Sequence, residues 1–156
     1  MTELQELDRA QCLRLLAATR FGRVAVSAGA QPPLIRPVNY VFDERTESIV
    51  FRSGAGSKLH RLLASRQATF EIDGLDVANR TGWSVIVRGV AQEITDTFEI
   101  GRLERSPLDP WAPGEKAHWI RIRARAVTGR WIVEPEASVI AEESVVFRNG
   151  PVVPPG

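Results

Sequence analysis

One cysteine in 156 residues excludes an internal disulfide framework, and a reducing, cytoplasmic setting is the simplest expectation. The chain has two histidines, His60 and His118, far apart and in no ligand pattern with Cys12, so no metal site is expected. No Ser–His–acid set is readable either. Cys12 falls in an amphipathic stretch, where a thiol is core rather than nucleophile. No uncharged apolar run approaches the ~20 residues needed to cross a bilayer. The opening Met-Thr-Glu-Leu-Gln-Glu-Leu-Asp lacks the basic and apolar regions of a signal peptide, so a soluble protein is expected. A formal net charge of +1 supplies no global field for nucleic acid or an acidic membrane, and any basic site must be local. Arg121, Arg123 and Arg125 form such a row, without an aromatic platform between them, and read as a solvated or dimer-facing strand.

What is present is an ordinary globular balance, 44% hydrophobic and 25% charged, in a length suited to one domain. Residues 1–133 read as that domain and 134–156 as a Pro- and Glu-rich tail, whose one compact apolar piece is Val145-Val146-Phe147; the tail is expected to cover a partner subunit. Asp8 and Gln11 form a capping-box pattern for a helix reaching Thr19. From Phe21 the apolar period changes to two. Strands are expected at 22–27, 34–42, 48–53, 68–73, 82–95 and 118–133, with short helices at 57–65 and 97–104. Pro37 consigns the second strand to an edge or a bulge, and Gly89 marks a bulge or close approach in the fifth. About six strands with few helices argue for a mainly β fold, a closed or split barrel, rather than doubly wound α/β.

The most informative segment is Phe51-Arg-Ser-Gly-Ala-Gly-Ser-Lys-Leu59. A strand ends, glycines free the backbone, and a helix begins. Backbone N–H groups at such a helix start favour an anion, and Arg52, Ser53, Ser57 and Lys58 add the donors a phosphate monoester needs. An ordinary strand–turn–helix has the same outline. A Walker loop is excluded, because Leu59 stands where its hydroxyl residue belongs and the upstream glycine is missing. A Rossmann loop lacks its third glycine and a second βαβ unit.

Three further segments carry chemistry. In Pro37-Val-Asn-Tyr40, Asn39 offers both a donor and an acceptor. Trp83, at the start of a strand, either lines a ring pocket or plugs the barrel end. Trp111, in Asp109-Pro-Trp-Ala-Pro-Gly114, suits a lid, an interface anchor or plain surface packing.

The order Gly-Arg-Val-Ala-Val (22–26), Pro-Val-Asn-Tyr (37–40), Phe-Arg-Ser-Gly-x-Gly-Ser-Lys-Leu (51–59), Phe-Glu-Ile-Asp (70–73), Gly-Trp-Ser-Val-x-Val-x-Gly-x-Ala (82–91) and Thr-Gly-Arg-Trp (128–131) resembles the pyridoxamine 5′-phosphate oxidase-like family. It is most similar to the short actinobacterial and nitroimidazole-resistance-like branch. The resemblance implies a six-stranded split β-barrel of the FMN-binding type, forming a homodimer with the flavin at the subunit interface and acting as an oxidoreductase on a small molecule. Relatives use the deazaflavin F420, or bind haem. It further implies that Ser53, Ser57 and Lys58 of the Gly56-containing loop hold the cofactor phosphate with help from Arg52. Val38, Asn39 and Tyr40 would approach the isoalloxazine ring, and Trp83 and Ser84 would line the pocket beside it. The chain is shorter than true pyridoxamine-phosphate oxidases, and their substrate-phosphate residues have no counterpart that the motifs locate. A non-catalytic flavin-sequestering role is the alternative of a different class.

Overall fold

Asp8 starts the first helix as the sequence requires: its carboxylate accepts from the Gln11 N–H and the Gln11 side chain accepts from the Asp8 N–H, both at 2.8 Å. The computed structural model describes residues 2–134, and the expectations for the tail beyond them, Val145–Phe147 included, lie outside the described residues. Within that range the chain forms β1 (Glu3–Leu7), α1 (Arg9–Ala18), β2 (Phe21–Ala28), β3 (Gln31–Asn39), β4 (Val41–Asp43), β5 (Ser48–Ser53), α2 (Ser57–Ser65), β6 (Gln67–Asp76), β7 (Thr81–Ile94), α3 (Thr97–Leu103) and β8 (His118–Val133).

All eight strands join one sheet, in the order β3-β2-β6-β7-β8-β5-β4, with β1 paired to β8 beside that path. The sheet curls without hydrogen bonds closing it; the chain itself crosses the split, running from β3 through Tyr40 into β4. The two strands beyond the expected six have simple origins. The stretch read as one strand at 34–42 breaks at Tyr40, whose N–H bonds to Arg20 O. The other, β1, has no β-branched residue and no period of two, so its sequence does not announce a strand. It forms because the second half of β8 offers an unfilled edge, with Glu3 opposite Val133 and Leu7 opposite Gly129.

Pro37 sits on β3, an edge strand of the sheet, where a missing N–H costs no ladder bond. Gly89 lies at a register shift between β7 and β8, and a Cβ there would come within 2.0 Å of Arg123 O. The main core fills the inner face: Leu16, Val24, Tyr40, Phe51, Phe70, Ile72, Val87, Ile120 and Ile122 are all fully buried, with Cys12 from α1 and Leu62 from α2 sealing it. Burial pushes the Cys12 thiol up, as an inert core cysteine requires. A second, smaller cluster lies on the opposite face of the sheet, where α3 covers Val41, Val50, Ile94 and Trp119 with Leu103.

Candidate functional site

The end of β5 and the start of α2 build the first part of the site. Arg52 and Ser53 pair with Trp119 and His118 of β8. The Arg52 guanidinium lies 5.0 Å from the Trp119 ring centroid, and its Nε donates to Lys116 O at 2.9 Å. Ser53 Oγ donates to Gly54 O at 3.0 Å. A Cβ on Gly54 would meet Glu115 O at 2.8 Å, so only glycine lets the 54–56 turn run beneath the 106–117 loop. Gly56 is the N-cap of α2 and carries no side chain to cap it. The first N–H groups of α2 therefore have no side-chain acceptor, and the positive end of the helix dipole is open to an anion. Ser57 and Lys58 open this helix; for them and for His60 only the backbone is described.

The end of β3 meets β5 here. Asn39 Oδ1 accepts the Trp111 N–H at 2.9 Å, a bond that does not use the Asn39 NH₂. The Trp111 ring stacks on Phe21, the ladder partner of Asn39, with centroids 5.7 Å apart and planes 13° from parallel. Trp111 remains 72% exposed, so it overhangs the rim as a flap rather than filling the core. Val38 is buried in the barrel wall. Tyr40 is placed differently from the sequence expectation. Its ring is fully buried edge-on to Phe70, its hydroxyl donates to Leu16 O at 2.8 Å, and burial pushes its ionisation upward. Its side chain faces the core rather than the rim.

Trp83 and Ser84 lie elsewhere. Trp83 pairs with Trp131, packs against the main core, and fills the space left by Gly74, where a Cβ would fall 2.6 Å from Trp83 Nε1. It plugs the barrel end. Ser84, the next residue in the strand, points to the opposite face. Along β8, Trp131 and Trp119 are about a dozen residues apart, on the order of 40 Å of strand, so one copy cannot bring Trp83 and Arg52 to the same ring. The structure thus assembles Val38, Asn39, Arg52, Ser53 and the Gly56–Lys58 backbone, and leaves Trp83 and Ser84 at the other end.

The sequence profile of the pyridoxamine 5′-phosphate oxidase family matches residues 8–131. The chain belongs to this family. An uncharacterized protein of Mycobacterium tuberculosis is 37% identical over 137 residues, covering 84% of this chain and 87% of its own length. Among solved structures, the FAD binding protein from Mycobacterium smegmatis superposes with a TM-score of 0.68 at 31% identity, covering 83% of this chain and 99% of that one. An FAD-binding protein from Mesorhizobium loti shares the fold, with a TM-score of 0.69 at 24% identity, over 86% of this chain and 100% of its own. The split-barrel expectation for this oxidase-family member is thereby met.

The same fold holds a charged cluster that sequence reading missed. Arg102 of α3 makes a two-pronged bond to Asp43 of β4, at 3.1 and 2.7 Å, and also bonds Glu99 at 2.7 Å. Arg121 of β8, only 4% exposed, reaches Asp43 at 3.2 Å and bonds Glu99 as well. Hydrogen bonds from Arg102 and Arg121 pull the Glu99 carboxyl down to about 2. Burial alone would raise Asp43, but hydrogen bonds from Arg102 and Thr46, with both guanidiniums nearby, hold it below the usual carboxylate range. The alternation of Ile120, Arg121, Ile122 and Arg123 suggests a solvated basic face; Arg121 instead lies beneath α3, and only Arg123 and Arg125 of the row stay exposed. The one available signal was the local pair Glu99 and Arg102, three residues apart on α3; Asp43 and Arg121, which complete the cluster, are distant in sequence. This cluster clamps α3 to the sheet, and among the described residues no helix is long and apolar enough to cross a membrane.

Proposed function

We propose that the chain binds a flavin nucleotide with its phosphate on residues 53–58 and uses it in an oxidoreductase reaction on a small molecule. The observation that carries this reading is the uncapped N-terminus of α2, reached from the end of β5 through the 54–56 turn that packs against the 106–117 loop at Glu115. The residues fit the group. An anion at the helix start meets unpaired backbone donors, the hydroxyls of Ser53 and Ser57, and the charge of Lys58, while Asn39 presents its amide at the rim. The flavin would supply the electron-transfer chemistry; the chain supplies binding, orientation and exclusion of water. No side chain is assigned an acid or base role.

Flavin mononucleotide satisfies every group named. That the Mycobacterium smegmatis relative binds FAD makes the dinucleotide the second reading. A second copy of this chain completes the site. Its outward-facing Ser84 can reach a cofactor that its own Arg52 cannot. Leu75, Ile132 and Leu4 form an exposed apolar row across the outer face, joined through Gly82 by successive ladders, and this row offers the copies a contact. A location in the cytoplasm accords with the reduced cysteine.

The test is a visible spectrum of the purified protein, followed by titration with FMN, FAD and F420 and chromatography of any released cofactor. A yellow protein releasing a flavin is expected. A colourless protein binding none of the three at micromolar concentration overturns the proposal, and preference for F420 replaces it with a deazaflavin reductase. Tight flavin binding without turnover of any electron donor would leave a sequestering protein. Light scattering of the loaded protein should give the mass of two chains.

A further inference from the structure

The register shift between β7 and β8 adds a residue to the outer face of the sheet. Arg88 pairs with Ala126 and Gly89 with Ala124, so Arg125 has no ladder partner. Ala124 and Val127 both pack against the core, three residues apart rather than two, and both residues between them turn outward. Arg125 is thereby placed on the same side as Arg88. The two arginines, on adjacent strands, line one side of a groove of about 460 Å³; Ser27, Pro33, Gln67 and Thr69 of β2, β3 and β6 line the rest. No carboxylate lines it. Among the described residues neither Arg88 nor Arg125 has an ion-pair or hydrogen-bond partner, and Arg123, exposed and equally unpaired, is adjacent. Two solvated positive charges thus face one groove with no acid among its lining residues, an arrangement that favours an anion. The apolar and hydroxyl side of the groove suits an organic body rather than a bare ion.

We propose that this groove is a second ligand site, taking an organic phosphate whose anionic end sits between Arg88 and Arg125 and whose body lies toward Pro33. It is separate from the 53–58 loop. Gln67 pairs with Val90 in the groove, whereas Ser53 pairs with His118 at the far end of β5, and the inference does not rest on the flavin reading.

Calorimetric titration of the full-length protein, as purified, with adenosine 5′-monophosphate and with inorganic phosphate tests it. The nucleotide is expected to bind, and inorganic phosphate to compete weakly. Arg88→Ala and Arg125→Ala, both exposed and so compatible with folding, should each lower nucleotide affinity about tenfold or more. Lys58→Ala should leave nucleotide affinity unchanged while weakening flavin binding. No nucleotide binding at millimolar concentration overturns the proposal. So does binding that survives the double arginine variant, or binding lost in Lys58→Ala and displaced by FMN, which would place the nucleotide in the flavin site. Folding of each variant is checked by its melting curve.

Discussion

Asn39 holds the Trp111 backbone through its side-chain oxygen at 2.9 Å, tying the 106–117 loop to the end of an edge strand more than seventy residues earlier. One amide therefore has two tasks: fixing the flap with its oxygen and facing the rim with its NH₂. Asn39→Asp keeps the acceptor and loses the donor, whereas Asn39→Ala loses both. Both variants are expected to weaken flavin binding. Only Asn39→Ala should free the flap, read as increased iodide quenching of tryptophan fluorescence, at a stability cost of about 1 kcal/mol.

Lys58→Ala is expected to reduce flavin affinity by about 1.5–3 kcal/mol, the value of a lost charged hydrogen bond. Fluorescence titration measures it. An unchanged affinity would mean that the phosphate lies elsewhere.

Tyr40→Phe separates a core role from a cofactor role. The variant leaves Leu16 O without its buried donor and is expected to cost about 1–3 kcal/mol in urea unfolding. Flavin affinity should stay the same, because the hydroxyl faces the core. A large loss of affinity without loss of stability would return Tyr40 to the cofactor.

The capping box of α1, the edge position of Pro37, the bulge at Gly89 and the limits of α2 were all legible in the sequence, because each depends on residues within a few positions of one another. What was not legible depends on tertiary neighbours. The ribbon Glu3–Leu7 became a strand only because β8 had a vacant edge. Arg121 looked like its neighbours Arg123 and Arg125 until α3 covered it. Trp83 had two readings in sequence, and the glycine at 74 that makes room for it as a plug is nine positions away on another strand. Of the site, the loop 53–58 and Asn39 could be read from local chemistry; the remoteness of Ser84 could not, since period-two spacing says nothing of distance along a barrel.

Acid should loosen α3 first. Asp43 and Glu99 titrate below their ordinary range when folded, so the stability they contribute is full above about pH 4.5 and is lost as the pH falls toward 2. Urea midpoints measured between pH 7 and pH 3 are expected to fall, and to fall less in Glu99→Gln. Asp43→Asn at neutral pH removes a charge from between two guanidiniums, one of them buried, and is expected to cost about 3–5 kcal/mol.

Gly89→Ala drives a methyl group into Arg123 O and is expected to lower stability by about 1–3 kcal/mol, seen in the melting temperature.

β8 touches β7 along nearly its whole length, and on its other side β5 takes the first part and β1 the last. Releasing its first part means unzipping ladders on both flanks at once, so the amides of Ile120 to Ile122 exchange with solvent only when the whole domain opens. The strand β3, with three prolines and one flank unpaired, is the opposite extreme. The molecule thus carries a gradient of rigidity from one side of the barrel to the other. The Asn39–Trp111 latch stands at its soft end, so a ligand of the proposed flavin site would enter without disturbing the spine that holds the fold.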